Sequence, residues 1–150
     1  MALDIDTLLS KLVSHALSTG HFDSVNTHEP DNAPGNGITA NVVLDTITPV
    51  PGGMATTSCR VAFFMTMMYP AEAQPRDDTE PYLIKALDAV MGRLTGDLRL
   101  DNTVRMIDLL GAHGDGLEAI AGYTKIQDQV YRVMELTIPL IVNDVWIQAE

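Results

Sequence analysis

The sequence predicts an α+β fold: a curved, mostly antiparallel β-sheet with two helices, in the order α-β-β-α-β-β-β. Three observations support this prediction. Two segments repeat apolar residues at the three- and four-residue spacing that gives a helix one apolar stripe. Five others are alternating or continuously apolar segments bounded by turn residues, as in strands. Because these helices and strands do not alternate regularly along the chain, a parallel doubly wound sheet is excluded.

Length and composition are those of one soluble domain, residues 1–150. The chain is 46% hydrophobic and 19% charged, which excludes a disordered protein. Its net charge of −11 argues against binding to nucleic acid phosphates or to an anionic membrane. Cys59 is the single cysteine and has no internal disulfide partner. No apolar run reaches the roughly 18 residues of a membrane span, and the acidic start is unlike a signal peptide, so we expect a soluble domain that is made inside the cell.

The first predicted element is a helix over residues 4–18, because apolar residues recur there on one side and Gly20 follows as a stop. Residues 21–37 come next. They contain two Pro, two Gly and three Asn, which predicts a loop without regular structure. Loops of this length are uncommon in compact domains and are often functional.

Two strands are predicted after this loop, at residues 38–48 and 55–69. The connection PVPGG at 49–53 is short, so the two strands should form a hairpin. A bulge is expected near Thr46–Ile47, where the alternation of apolar and polar residues changes phase.

The second half of the chain predicts one helix and then three strands. After a loop at 70–78, a helix begins near Thr79 and ends at Gly96. A tight turn at Gln127–Asp128 joins the last two strands, and Trp146 is expected in the tail beyond them. The three strands are predicted at about 103–110, 119–126 and 129–142.

The strand at 55–69 is apolar on both faces, whereas an antiparallel sheet normally has one wet face. Two helices can cover one face of a five-stranded sheet, but not both. Each large apolar residue contributes roughly 1.5–3 kcal/mol when it is fully buried, so leaving several in water would cost as much as the marginal stability of a domain. We therefore expect a homo-oligomer in which a neighbouring subunit covers the second face; the alternative is a sheet that rolls over its own second face. The two faces consist of Val61, Phe63, Met65 and Met67 on one side and Ala62, Phe64, Thr66 and Met68 on the other.

The sequence shows no catalytic constellation, and we expect no catalytic residue, no cofactor and no metal ion. The loop at 21–37 holds ligand-type residues but no Cys and no His pair at helical spacing, which favours a polar surface or an interface over a metal site. The glycine-rich GAHGDG at 111–116 lacks the Lys and Ser or Thr of a phosphate loop and leads into a strand, so His113 is interpreted as a side chain that caps turns. Cys59 is interpreted as a structural residue. The ligand-type residues of the first loop are His21, Asp23, His28, Glu29 and Asp31.

Five segments resemble the tail terminator proteins of long-tailed, siphovirus-type phages that infect actinobacteria, and the resemblance spans about residues 15–147. These segments are structural motifs and contain no catalytic signature. They read HFDSVNTHEPDNAPGNG, ITANVVLDTITPVP, SCRVAFFMTMMYP, DLLGAHGDGLEAIAGY and YRVMELTIPLIVNDVW.

The resemblance implies a tail-terminator-like α+β fold and a hexameric ring at the head-proximal end of the tail tube. The ring would stop tube polymerisation and offer a docking surface for the head. Its partners would be copies of itself, the tail tube protein and a head-completion or connector protein, and DNA would pass through the lumen without specific binding. The protein would be assembled in the cytoplasm of the bacterial host and reside in the virion tail, with no cofactor and no enzymatic activity.

The expected interface residues lie in two loops and on the apolar strand, and the loops at 21–37 and 70–80 are expected to contact neighbouring rings. Two alternatives stay open. One is another head–tail connector, such as a stopper or tail completion protein. The other is a small ligand-binding or enzymatic α+β domain, which requires His21, His28, Glu29 and His113 to converge in one pocket. The expected interface residues are His28, Glu29, Phe64, Met65, Met67, Met68 and His113.

Overall fold

The computed structural model describes residues 3–27, 37–71 and 78–148. Within these ranges it has two helices and one curved, mostly antiparallel sheet, which confirms the predicted α+β fold. The element bounds are α1 Ile5–Ser18, β1 Ser24–Asn26, β2 Thr39–Pro51, β3 Thr56–Pro70, α2 Thr79–Thr95, β4 Met106–Ile107, β5 Glu118–Ile126 and β6 Gln129–Ile147.

The sheet is built around the long neighbouring strands β3 and β6. Its order is β1-β2-β3-β6, and both β4 and β5 pair with the far edge of β6. This is possible because β6 is 19 residues long. Only β1 and β2 run parallel; the other described pairs are antiparallel, and β2 and β3 form the predicted hairpin.

The start of α1 and the end of α2 have residues suited to those places. The Asp4 carboxylate caps α1 by accepting hydrogen bonds from the Thr7 backbone N–H (3.2 Å) and hydroxyl (2.6 Å). These bonds lower the pKa of Asp4. α2 ends where expected, with Gly96 as its C-cap.

Both helices cover the same face of the sheet, and the main core lies between them and that face. The helices bury one stripe each, including Leu12 of α1 and Val90 of α2. The sheet contributes alternate residues of β3 and β6 that have no solvent exposure. These residues are Val61, Phe63, Met65, Met67, Leu136, Ile138 and Leu140.

Two local predictions are confirmed by the backbone. The register between β2 and β3 shifts between Leu44 and Thr46, so the bulge lies one residue before the expected place. Gln127 and Asp128 both have positive φ angles, of 50° and 66°, as a tight two-residue hairpin turn requires.

The loop predicted at 21–37 is not entirely irregular. Ser24–Asn26 form β1, which pairs in parallel with the start of β2, and the Asp23 N–H donates to the Ile38 carbonyl at 2.8 Å. A three-residue strand is too short to show alternation, so its place beside β2 is visible only in the fold.

The strand predicted at 103–110 is reduced to Met106–Ile107. Leu100, Asp101 and Asn102 have positive φ angles, so the chain before it forms turns. β6 extends beyond its predicted end and includes Trp146, because Thr57 at the start of β3 pairs with it. Trp146 therefore belongs to the sheet and not to a tail.

Candidate assembly surface

The face of the sheet that lies away from the helices forms an open groove at its centre. Cross-strand pairing places Asn41, Thr66 and Glu135 in one row, and Val43 and Phe64 in the next. The groove has a volume of about 580 Å³. We define it by its lining residues, Asn41, Val43, Phe64, Thr66, Met68, Val133 and Glu135 of the floor and Tyr123, Thr124 and Ile126 of β5.

The monomer covers the ends of this second face but not its middle. Ala62 and Ile141 are fully buried at one end, and Tyr131 is fully buried at the other. Phe64 and Val133, in the middle, are only half-buried. The expected mismatch between apolar faces and available cover is therefore smaller than the sequence indicated, since the rolled sheet accounts for part of it.

The four expected interface residues of β3 divide between the two faces. Met65 and Met67 have no exposed surface and lie in the core beneath the helices, so no surface of either is available to a second subunit in this fold. Met68 lines the groove but is only 2% exposed. Phe64 alone of the four keeps a substantial exposed fraction. The alternation in the sequence separated the two faces but did not show which one the helices cover.

The glycine-rich loop is organised by a carboxylate that the sequence did not single out. Asp108 is 2% exposed and accepts hydrogen bonds from the backbone N–H groups of Ala112 (2.7 Å) and His113 (2.9 Å). The turn is thus capped by the Asp108 side chain, not by the His113 side chain as expected. Gly111 has φ = +82°, and a Cβ there would lie 2.5 Å from the Gly114 carbonyl oxygen, so the turn requires glycine.

The residues expected to converge in one ligand pocket do not all lie close together. His21 precedes the residues that pair with the start of β2, beside Met67, whereas the loop of His113 contacts Arg60. At about 3.3 Å per residue, the stretch of β3 from Arg60 to Met67 corresponds to roughly 23 Å. His28 and Glu29 lie outside the described residues. Within the described ranges, no three His, Cys, Asp or Glu residues are grouped as metal ligands.

A second exposed apolar surface lies at one end of the sheet. We call it the strand tip and define it as residues 44–57 and 142–148. Asp45 is the sole charged residue of the first segment and Asp144 of the second. The large apolar side chains exposed on the strand tip are Leu44 (46%), Ile47 (43%), Met54 (99%), Trp146 (39%) and Ile147 (78%).

The strand tip is held together by Asp144. Its carboxylate accepts hydrogen bonds from the Thr56 hydroxyl (2.6 Å) and the Gly53 N–H (2.9 Å), and its own N–H donates to the Ser58 hydroxyl (3.0 Å). The Thr56 bond first, and the Gly53 bond second, lower the pKa of Asp144. Gln148 adds a backbone bond to Ala55. The exposed apolar residues are thus presented on an ordered scaffold.

At Pro49 and Pro51, the outer edge of β2 offers acceptors without donors. Among the described residues, β1 pairs with β2 only as far as Asn41, and no described strand pairs with this edge beyond that point. Pro49 and Pro51 have no N–H, so their nitrogen atoms face away from β3, and the carbonyl of each faces the same outward side. Such an edge is protected against the addition of a further strand.

A second cleft, of about 400 Å³, lies between the start of α1 and the end of β6. It contains Arg99 and Arg105. Arg105 donates to Asn143 and, at 3.1 Å, to the Ser58 hydroxyl. Asp4 also lines this cleft, and Asp144 lies close enough to Arg105 to be stabilised by its charge. Acidic groups thus offset the positive charge of this cleft.

No protein-family model matches the chain, and no curated protein matches it. Neither of the two described helices combines the length and apolar character needed to cross a membrane.

Proposed function

We propose that this chain is a structural protein of a long-tailed phage, the tail terminator, and that it acts as a homo-oligomeric ring at the head-proximal end of the tail tube. The observation that carries the proposal is the open groove on the uncovered face of the sheet. In this role the chain performs no catalysis. It stops the tube from growing and provides the surface to which the head attaches.

The groove supports an oligomer because a monomer leaves it half-covered. Phe64 and Val133 are half-buried on its floor, and further apolar side chains are exposed on the strand tip. Covering such residues with a neighbouring copy removes apolar surface from water, at about 25 cal/mol per Å². When a surface of one copy fits a different surface of the next, repeated association generates a ring or a filament.

The five segments that resemble tail terminators support a tail terminator ring in particular, rather than another kind of oligomer. They span about residues 15–147 and include the residues of all three strands of the groove floor, β2, β3 and β6. The net charge of −11 also suits a channel for DNA, because a like-charged wall does not retain the duplex. The partners in this proposal are the tube protein on one side of the ring and a head-completion or connector protein on the other.

The proposal is tested in solution and in the virion. Size-exclusion chromatography with light scattering should give a mass several times that of the monomer, either alone or with tail tubes present. Phage that lack the protein should produce overlong or headless tails in electron micrographs. A strict monomer that also fails to cap tubes contradicts the proposal. Tails of normal length that lack only heads would instead place the protein among the other head–tail connectors.

A further inference from the structure

We propose that the strand tip of one copy docks into the groove of a second copy, and that a proline carbonyl of the strand tip accepts a hydrogen bond from the Asn41 side chain. This inference rests on the homo-oligomer proposed above and identifies the two surfaces that form its contact. It does not depend on where in a virion the oligomer lies.

The first argument is a buried donor in the groove. Asn41 is 3% exposed, and its Nδ2 has no hydrogen-bond partner among the described residues. Its Oδ1 accepts from the Asn26 side chain at 3.5 Å. Buried polar groups in folded proteins are almost always paired, so an unpaired amide at the floor of the groove indicates that the occupant brings an acceptor.

The second argument is that the strand tip offers acceptors of this kind. The carbonyls of Pro49 and Pro51 face the outer edge of β2, and neither residue adds an N–H donor to that edge. The edge cannot be extended by another strand, but a single side-chain donor can reach it. The Asn41 amide provides such a donor.

The third argument is that both surfaces are poor in charge. Among the described residues that line the groove, Glu135 is the only charged one. The strand tip carries Asp45 and Asp144, and the latter is already hydrogen-bonded within its own copy. Depletion of charge and enrichment of Met and aromatic residues are typical of interface centres. For copies that each carry a charge of −11, contact through charge-poor surfaces keeps the like charges apart.

The fourth argument is geometric. Asn41 in the groove and Pro49 in the strand tip lie on the same strand, and eight residues of strand correspond to roughly 26 Å. A copy therefore cannot bring its own proline carbonyls to its own Asn41 side chain. The contact joins two different surfaces, so each copy offers one free groove and one free tip, and the series ends only when a ring closes.

Mixing two defective variants tests this contact. The groove variant is Phe64→Asp, and the tip variant combines Met54→Glu with Ile147→Glu, two residues that are 99% and 78% exposed. Each variant alone should lose assembly, with association weakened roughly tenfold or more. Mixed together, they retain one intact groove and one intact tip between them. The mixture should therefore form a pair with twice the monomer mass and nothing larger, as measured by light scattering.

Controls separate this contact from misfolding and from the proposed function. Leu110→Glu changes a 97% exposed residue outside both surfaces and should leave assembly unchanged. If Phe64→Asp fails to fold by circular dichroism, Val43→Asp replaces it on the same floor. Asn41→Leu should also weaken assembly of the folded protein.

The contact is wrong if the wild-type protein stays monomeric at its highest soluble concentration. It is equally wrong if the folded tip variant assembles as well as the wild type, or if the mixture stays monomeric. An oligomer that survives all these changes would leave the terminator role standing and assign its interface to another surface. Loss of assembly in both variants, with normal tails in phage that lack the protein, would support the contact and reject the role.

Discussion

Two carboxylates, Asp108 and Asp144, each hold an irregular part of this protein in place by accepting hydrogen bonds from backbone N–H groups. Asp108 acts on residues four and five positions later in the chain, whereas Asp144 reaches Gly53, 91 positions earlier. The sequence shows many scattered acids, which usually means solvated surface. A structural role becomes visible only when the folded chain brings the donors to one of them.

Asp144→Asn should destabilise the protein at neutral pH, and its difference from the wild type should shrink as the pH falls below about 4. Hydrogen bonds from Thr56 and Gly53 lower the pKa of the folded Asp144 carboxyl below its ordinary value. Its contribution to stability is therefore complete above the ordinary pKa, near pH 4, and is lost as the pH falls through the lowered value. Urea unfolding at pH 7 and at pH 3 measures the difference between variant and wild type.

The exposed Asp88 of α2 provides the matched control, because Asp88→Asn makes the same chemical change outside the strand tip. A difference between Asp144→Asn and wild type that grew as the pH fell would contradict the assigned role of the charged carboxylate.

The hairpin of β5 and β6 is joined to α2 through one arginine. Arg132 donates to Glu80 at the start of α2, and its guanidinium lies 4.5 Å from the ring centre of Tyr123 on β5. Tyr69 of β3 packs edge-on against Tyr82 of α2 beside it. The hydrogen bond to Glu80 raises the pKa of Arg132. These contacts link β5 and β6 to α2, and residues of β5 line one side of the groove.

Replacing Gly92 with Ala should stabilise α2 by about 0.5–1 kcal/mol. Gly92 is exposed within the helix, and a Cβ there would meet no atom within 4 Å. Alanine restricts the unfolded chain and is the better helix former, so the free energy of unfolding should rise. Urea titration followed by circular dichroism measures the change.

Gly111→Ala is the opposing control for this substitution. Gly111 has a positive φ, and a Cβ there would lie 2.5 Å from the Gly114 carbonyl oxygen, which is too close for a methyl group. It should lower the free energy of unfolding. A destabilising Gly92→Ala would mean that the outer face of α2 is not free in the assembled protein.

At the level of the whole chain, a strong negative charge opposes the association that the apolar surfaces favour. The chain has twenty acidic and nine basic residues, so copies of it repel one another at long range. Both the groove and the strand tip contain few charges, which confines that repulsion to the remaining surface. The balance between the two effects depends on ionic strength.

Assembly should therefore strengthen when salt is added. The screening length falls from about 30 Å at 0.01 M to about 8 Å at 0.15 M ionic strength, which weakens repulsion between copies while leaving apolar contact in place. Sedimentation velocity at these two ionic strengths should show a larger share of oligomer at the higher one. If salt dissociated the oligomer instead, its contacts would be ion pairs, and the apolar contact between groove and strand tip would be wrong.

Local chemistry alone determined much of this protein. The apolar stripe that places Leu12 in α1, the stop at Gly96, the turn at Gln127–Asp128 and the two-faced alternation of β3 depend on residues a few positions apart, and the structure confirms each of them. The α+β class follows from the order of these local signals.

Contacts between distant parts of the chain decided the rest. Which face of β3 the helices cover, and hence that Met65 is core while Phe64 opens into the groove, depends on packing between segments far apart in sequence. The same holds for Trp146, which joins the sheet because Thr57 pairs with it. The sequence pattern shows only that alternate residues of a strand share a face. Which of the two faces is buried depends on the segments that pack against the strand.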